Sequence, residues 1–104
     1  MKEITPQELK NLRDNKADFQ LIDVREPFEV EITTIGGELI PMGEVVDNLK
    51  RINKNKQVVV YCKSGKRSAA IVQMLEQQGY DNVFNLKGGI LAYADTIDKS
   101  LTKY

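Results

Sequence analysis

The order of apolar and polar positions divides the chain into alternating strand and helix signals. Lys2 to Ile4 reads as a short opening strand. Thr5-Pro6-Gln7-Glu8 then has the form of a capping box, with Thr5 as N-cap, Pro6 as first helical residue and Glu8 able to reach back to an orphan amide. Leu9 and Leu12 give the helix that follows an apolar stripe, and Asn15 and Lys16 close it. Phe19 to Val24 (FQLIDV) is a compact apolar run of the kind found in a buried strand. Pro27 is expected to break regular structure, and Gly36-Gly37 to turn the chain into a very short strand at Leu39-Ile40. Val45, Val46, Leu49 and Ile52 recur at helical spacing.

Gln57 to Tyr61 (QVVVY) is the strongest strand signal, three successive β-branched residues without alternation, as in a strand covered on both faces. Ser68 to Gln78 follows as a helix with Ile71, Met74 and Leu75 on one side and Gly79 as its C′ residue. Val83 to Leu86 is a short strand. Gly88-Gly89 turns the chain, and Ile90, Tyr93, Ala94, Ile97 and Leu101 describe a final amphipathic helix. This alternation, with its two best strands apolar throughout, predicts an α/β sandwich around a mainly parallel sheet. Ligands of such sheets bind beyond the carboxyl ends of the strands, where Cys62 stands.

Composition then removes whole classes of chemistry. The chain has 104 residues and no internal repeat, which suits one domain, 1–104, with a small core. Its apolar run Val58 to Cys62, which no other exceeds, is far too short to span a bilayer. The opening MKEITPQELK lacks a signal-peptide core, and a lone cysteine suits a reducing compartment, so a cytoplasmic location is expected. Zero net charge gives no global reason to expect nucleic acid or an anionic membrane as partner. With no histidine there is no Ser-His-Asp or Cys-His pairing, and with one cysteine there is no CxxC dithiol and no zinc site of the finger or ribbon kind. No metal or other cofactor is expected, and the chemistry must come from a thiol, carboxylates, hydroxyls, cations and backbone.

The thiol lies in YCKSGKRSAA, Tyr61 to Ala70. A cysteine ending a buried strand is commonly an inert small hydrophobe. Here it leads into KSGKRS, which has no apolar side chain. Gly65 lets the backbone curl, and successive amides in a curled turn form an anion-binding nest. The helix starting near Arg67-Ser68 adds unpaired N–H groups and the positive end of its dipole, while Lys63, Lys66 and Arg67 add charge. Such surroundings lower a thiol from about 8.5 to roughly 3.5–7.5 and make it nucleophilic without histidine. Arg67 has a planar fork suited either to an oxyanion or to fixing the loop through a carboxylate. Asp23 and Arg25 end the other good strand and are expected to support the site by ion pairing.

LIDVREPFEVE at 21–31, GGELIPM ending at Met42, VVVYCKSGKRSA at 58–69 and NVFNLKGGILAY at 82–93 together resemble the rhodanese-like (sulfurtransferase) domain family over nearly the whole chain. GGELIP and CKSGKRS are most similar to the rhodanese domain that ends some adenylyltransferases of molybdopterin and thiamine biosynthesis. The resemblance implies a three-layer α/β sandwich around a five-stranded parallel sheet. It further implies a cysteine that takes a sulfane sulfur from a donor such as thiosulfate and hands it, as a persulfide, to cyanide or a biological thiol. Cys62 is then the nucleophile, the amides of residues 63–67 hold the outer sulfur, and Lys63, Lys66 and Arg67 hold the donor anion, with Ser64, Gly65 and Ser68 completing the binding loop. A sulfur-carrier protein, a cysteine desulfurase or thioredoxin are partners compatible with an open basic loop. Two departures bear on substrate preference and partner surface: Thr34-Ile35-Gly36 replaces a frequent Gly-His-Ile element, and Tyr93 stands where a Trp is common.

Two other readings compete. Tyrosine phosphatases resemble this loop but place arginine six positions after cysteine, and here Arg67 comes five positions after Cys62. The shorter ring suits one sulfur atom rather than a tetrahedral phosphate, which weighs against a phosphatase or arsenate reductase. A persulfide-carrying or regulatory binding module without thiosulfate turnover is the second alternative.

Overall fold

The computed structural model describes residues Met1–Tyr104. Five strands are present, β1 (Glu3–Ile4), β2 (Phe19–Asp23), β3 (Glu38–Leu39), β4 (Gln57–Tyr61) and β5 (Val83–Leu86), with helices α1 (Pro6–Asp14), α2 (Pro27–Ile32), α3 (Lys66–Gln77) and α4 (Gly89–Thr96) between and after them. The strands form one sheet in the order β1-β5-β4-β2-β3, every pair parallel. The three-layer α/β architecture expected from the family resemblance is therefore the one observed.

Two cores cover the sheet, and β4 feeds both because successive side chains of a strand face opposite ways. Val58, Val60 and, past the strand end, Cys62 join Ile71, Val72 and Leu75 of α3 on one face. Val59 and Tyr61 join Leu9 of α1 and Ile90 and Tyr93 of α4 on the other. The apolar run VVVY thus has no solvent face to alternate with. No helix of the molecule is long and apolar enough to cross a membrane.

Local chemistry explains most element ends. Thr5 Oγ1 accepts the Glu8 amide at 3.1 Å while Glu8 Oε1 accepts the Thr5 amide at 3.0 Å, the capping box expected from the sequence. Gly79 follows α3 with φ +93°, as a C′ residue does.

Three sequence expectations need correction. Pro27 does not break regular structure but begins α2, because proline at the first helical position loses no hydrogen bond and Glu29 Oε2 accepts the Glu26 amide at 2.8 Å. Val45, Val46, Leu49 and Ile52 lie on 3₁₀ turns kinked at Asn48 (φ −126°), so Val45 and Ile52 are buried while Val46 faces solvent. The last helix ends at Thr96 rather than running through Leu101. Asp98 Oδ1 accepts the Ser100 amide at 3.1 Å, a local side-chain bond that competes with helix continuation. Ile97 and Leu101 still pack on the core from this irregular segment.

Candidate active site

The parallel order brings the carboxyl ends of β2, β4 and β5 side by side. Asp23 ends β2, Cys62 follows β4 directly, and Asn85 precedes the last residue of β5. Cys62 is 1% exposed, so the thiol lies beneath the loop rather than on it. Its Sγ accepts the amide of Gly65 at 3.1 Å and that of Ser68 at 3.4 Å, with the Ser68 hydroxyl oxygen at 3.3 Å. Gly65 is the N-cap of α3 at φ +95°, a left-handed conformation that L side chains rarely take, and this folds 62–65 back over the sulfur. α3 starts two residues before the expected Ser68, so Lys66 and Arg67 lie in its first turn, where N–H groups have no intrahelical acceptor. Two amides and the positive end of the helix dipole thus converge on the sulfur.

The Gly88-Gly89 pair, read from sequence as a turn, is the seat of this loop. The Ile90 amide donates to Cys62 O at 2.9 Å and the Leu91 amide to Lys63 O at 3.1 Å. A Cβ at Gly89 would lie 2.4 Å from Lys63 O and 2.6 Å from Cys62 O, so only glycine lets the two backbones meet. The start of α4 therefore fixes where the thiol loop begins.

Ser64 and Lys66 are exposed and Lys63 is half-buried, with its Nζ 4.4 Å from the centre of the Tyr104 ring. Arg67 turns its fork to Glu29 of α2, Nη1 to Oε2 at 2.8 Å and Nη2 to Oε1 at 2.9 Å. Of the two roles open to Arg67, the observed conformation shows the one that fixes the loop through a carboxylate. Holding an anion with both terminal nitrogens would require that pair to open. Arg67 holds the Glu29 carboxyl down at about 2, and the same hydrogen bonds raise the Arg67 guanidinium.

Asp23 and Arg25 form a buried pair: Nε of Arg25 donates to Oδ1 at 3.0 Å and Nη2 to Oδ2 at 2.8 Å. The rest of the guanidinium is bonded too, Nη2 to Thr33 O at 3.0 Å and Nη1 to the Tyr104 hydroxyl at 3.0 Å. Burial works against the charge on Arg25, and the bonds to Asp23 and Tyr104 outweigh it, so the group is raised. The Tyr104 hydroxyl donates onward to Glu29 Oε1 at 2.8 Å. A chain Asp23–Arg25–Tyr104–Glu29–Arg67 thus runs from the end of β2 to the first turn above the thiol. Burial pushes the neighbouring Tyr61 phenol up to about 12, so it stays neutral and donates to Gly36 O at 2.7 Å.

Sequence reading missed Glu29, Tyr104 and Asn85. Glu29 had a readable signal, an acid three residues after Glu26 in a Pro-initiated turn. Asn85 had one as well, a polar residue inside the apolar run VFNL. For Tyr104 no local pattern exists.

Residues 5–96 match the Rhodanese-like domain family, and the chain belongs to it. The "Probable adenylyltransferase/sulfurtransferase MoeZ" of Mycobacterium tuberculosis is 35% identical over 104 residues, covering 97% of this chain and 26% of that protein. The chain therefore spans about a quarter of that relative's length. A protein of Allochromatium vinosum named "Sulfurtransferase" is 39% identical over 93 residues, 88% of this chain and 87% of that one. Among solved structures, a Rhodanese-like domain protein from Staphylococcus aureus superposes with a TM-score of 0.84 at 39% identity, covering 93% of this chain and 95% of the other.

Proposed function

We propose that this protein is a sulfurtransferase that carries a sulfane sulfur as a persulfide on Cys62. The observation that carries the reading is the sulfur set under two convergent amides, from Gly65 and Ser68, at the N-terminus of α3. In the loading step the Cys62 thiolate attacks the sulfane sulfur of thiosulfate. The Sγ–S bond forms, the S–S bond of the donor breaks, and sulfite leaves with the electron pair. The outer sulfur then bears the negative charge, and the free N–H groups of the first turn of α3 are its hydrogen-bond donors. In the discharge step a thiolate or cyanide attacks that outer sulfur and Cys62 leaves as thiolate, so each step has one nucleophile and one leaving group and no external oxidant. A thiolate held by amides is suited to both roles. Lys63 and Lys66 supply positive charge at the mouth for an anionic donor, and Arg67, paired with Glu29, keeps the loop closed on its sulfur-sized ring.

The commitment of Arg67 to Glu29 also argues against a phosphatase, which needs a free arginine clamp; hydrolysis of an aryl phosphate is expected to be negligible. The shallow, basic mouth favours acceptors that bring their own thiol, and the adenylyltransferase activity in the name of the MoeZ relative supports a sulfur-carrier protein as one such partner. A desulfurase is the corresponding donor.

Intact-protein mass spectrometry after brief incubation with thiosulfate tests the proposal. Wild type gains one sulfur atom, Cys62→Ala gains none, and cyanide removes the sulfur as thiocyanate. If folded wild type gains nothing from thiosulfate or from a cysteine desulfurase, the loop is a binding module and the sulfurtransferase reading fails.

A further inference from the structure

Asn85 occupies a position where the sequence around it is apolar. It faces the same side of β5 as Val83, beneath α3, and is 3% exposed. A buried amide is costly unless both of its ends are bonded. Its Nδ2 donates to Gly65 O at 3.2 Å, and since a carbonyl can only accept, this fixes the amide's orientation. Oδ1 consequently faces the Ser68 hydroxyl, at 2.5 Å. Ser68 is fully buried and its Oγ also lies 3.3 Å from Cys62 Sγ. The hydroxyl has one proton and two acceptors in reach. The shorter contact to Asn85 takes it.

We infer that Asn85 is a positioning residue that draws the Ser68 proton away from Cys62, leaving the sulfur anion to the backbone amides alone. This rests on the nucleophilic role given to Cys62 above. A hydroxyl donating to a thiolate stabilises the anion and, by the same token, blunts its attack, because nucleophilicity falls as the thiolate becomes less basic. Turning the Ser68 proton onto sulfur would also strand Asn85 Oδ1 without a donor in the core. Asn85 thereby keeps Ser68 from becoming a third donor and holds the thiolate reactive. It acts through Ser68 and does not touch the sulfur.

The charged groups bordering the loop are common to all variants needed for a test. They are Lys63, Lys66 and Arg67 on the loop and α3, Glu29 from α2, the Asp23–Arg25 pair after β2, Lys87 after β5 and the Tyr104 phenol, while the first turn of α4 brings none.

Alkylation of Cys62 by iodoacetamide as a function of pH separates the two consequences, and it needs no sulfur donor. In Asn85→Leu the freed hydroxyl turns to the sulfur. The pH midpoint of alkylation falls by about one unit and the high-pH plateau rate drops about threefold, as expected for a thiolate that much less basic. In a Ser68→Ala background the same Asn85→Leu change leaves midpoint and plateau where they were. Equal shifts in both backgrounds would mean that Asn85 acts through Gly65 and the loop, and no shift in either would mean that it does not act on the sulfur; both overturn the inference. Should Asn85→Leu fail to fold, Asn85→Val carries the same cycle with a better strand former. A negative thiosulfate result would not touch this cycle, and a null cycle would not touch sulfur loading.

Discussion

At the carboxyl end of the sheet two ion pairs are shut away from water, Asp23–Arg25 with both side chains buried and Glu29–Arg67 with its carboxylate buried. At the amino end, Glu38–Arg51 and Asp18–Lys56 stand largely in solvent. The amino end also holds a cleft of about 330 Å³, lined by Phe19, Gln20, Glu38 and Arg51 among others and not by Cys62. What distinguishes the thiol end is that its buried charges are bonded and that two backbone amides aim at one buried atom. At the thiol end the loop turns its donors onto one buried atom, whereas the cleft at the amino end is rimmed by exposed and half-buried side chains bonded to one another. The comparison also separates ion pairs that position a loop from ion pairs that merely decorate a surface.

The largest expected difference comes from removing one charge at each end. Arg25→Ala strands a buried carboxylate and is expected to cost about 3–5 kcal/mol, whereas Arg51→Ala removes an exposed partner and costs about 0–1 kcal/mol that fades with salt. Urea denaturation of both variants at low and high salt measures the contrast, and equal losses would break it.

Acid removes a defined part of the thiol end's stability. Glu29 titrates at about 2 in the folded protein against 4.5 unperturbed, so its folded value is depressed. Its contribution, roughly 3 kcal/mol, is complete above pH 4.5 and is lost as pH falls toward 2. Glu29→Gln is less stable than wild type at neutral pH and lacks this part of the acid slope, which denaturant melts across that range will show.

Glycines sharpen the same comparison. Gly89→Ala drives a methyl into the Lys63 and Cys62 carbonyls at φ +63°, and is expected to cost about 2–3 kcal/mol and to slow Cys62 alkylation by moving the loop. Gly79→Ala, at the far end, also meets a positive φ, +93°, but has nothing within 4 Å, so it costs only about 1–2 kcal/mol and leaves alkylation unchanged. The smallest effect belongs to Gly43→Ala, with open space and an ordinary φ, where stability stays level or rises by about 0.4–1 kcal/mol through loss of unfolded-state entropy.

Much of the scaffold could be read before any coordinates. The capping box at Thr5 and the C′ glycine at 79 rest on contacts within a few residues, and the strands at Phe19 and Gln57 show as unbroken apolar runs, so all these signals are local. Cys62 was legible because a thiol, a glycine and three cations share one short segment. The errors share a cause as well. Pro27 marks either a break or a helix start, and only the bond from the Glu26 amide to the Glu29 carboxylate decides between them. The final helix carried apolar spacing through Leu101, but Ile97 and Leu101 meet the core without it. The Arg67 fork had two acceptable partners in principle, and its partner lies 38 positions away.

The amino-acid sequence by itself determined the element order, the parallel α/β class and the place of the thiol after a buried strand, because periodicity, capping and turn chemistry act between near neighbours in the chain. Tertiary structure alone decided what surrounds that thiol. Strand order set β5 beside β4 and so brought Asn85 to Ser68; the docking of α4 placed Gly89 under Cys62; packing of α2 gave Glu29 to Arg67, and the segment after α4 gave Tyr104 to both ion pairs. These contacts join residues 17 to 79 positions apart. Which of many polar groups meet across such distances is settled only when the apolar faces have found each other, since burial supplies the main drive and hydrogen bonds then select among the arrangements it allows.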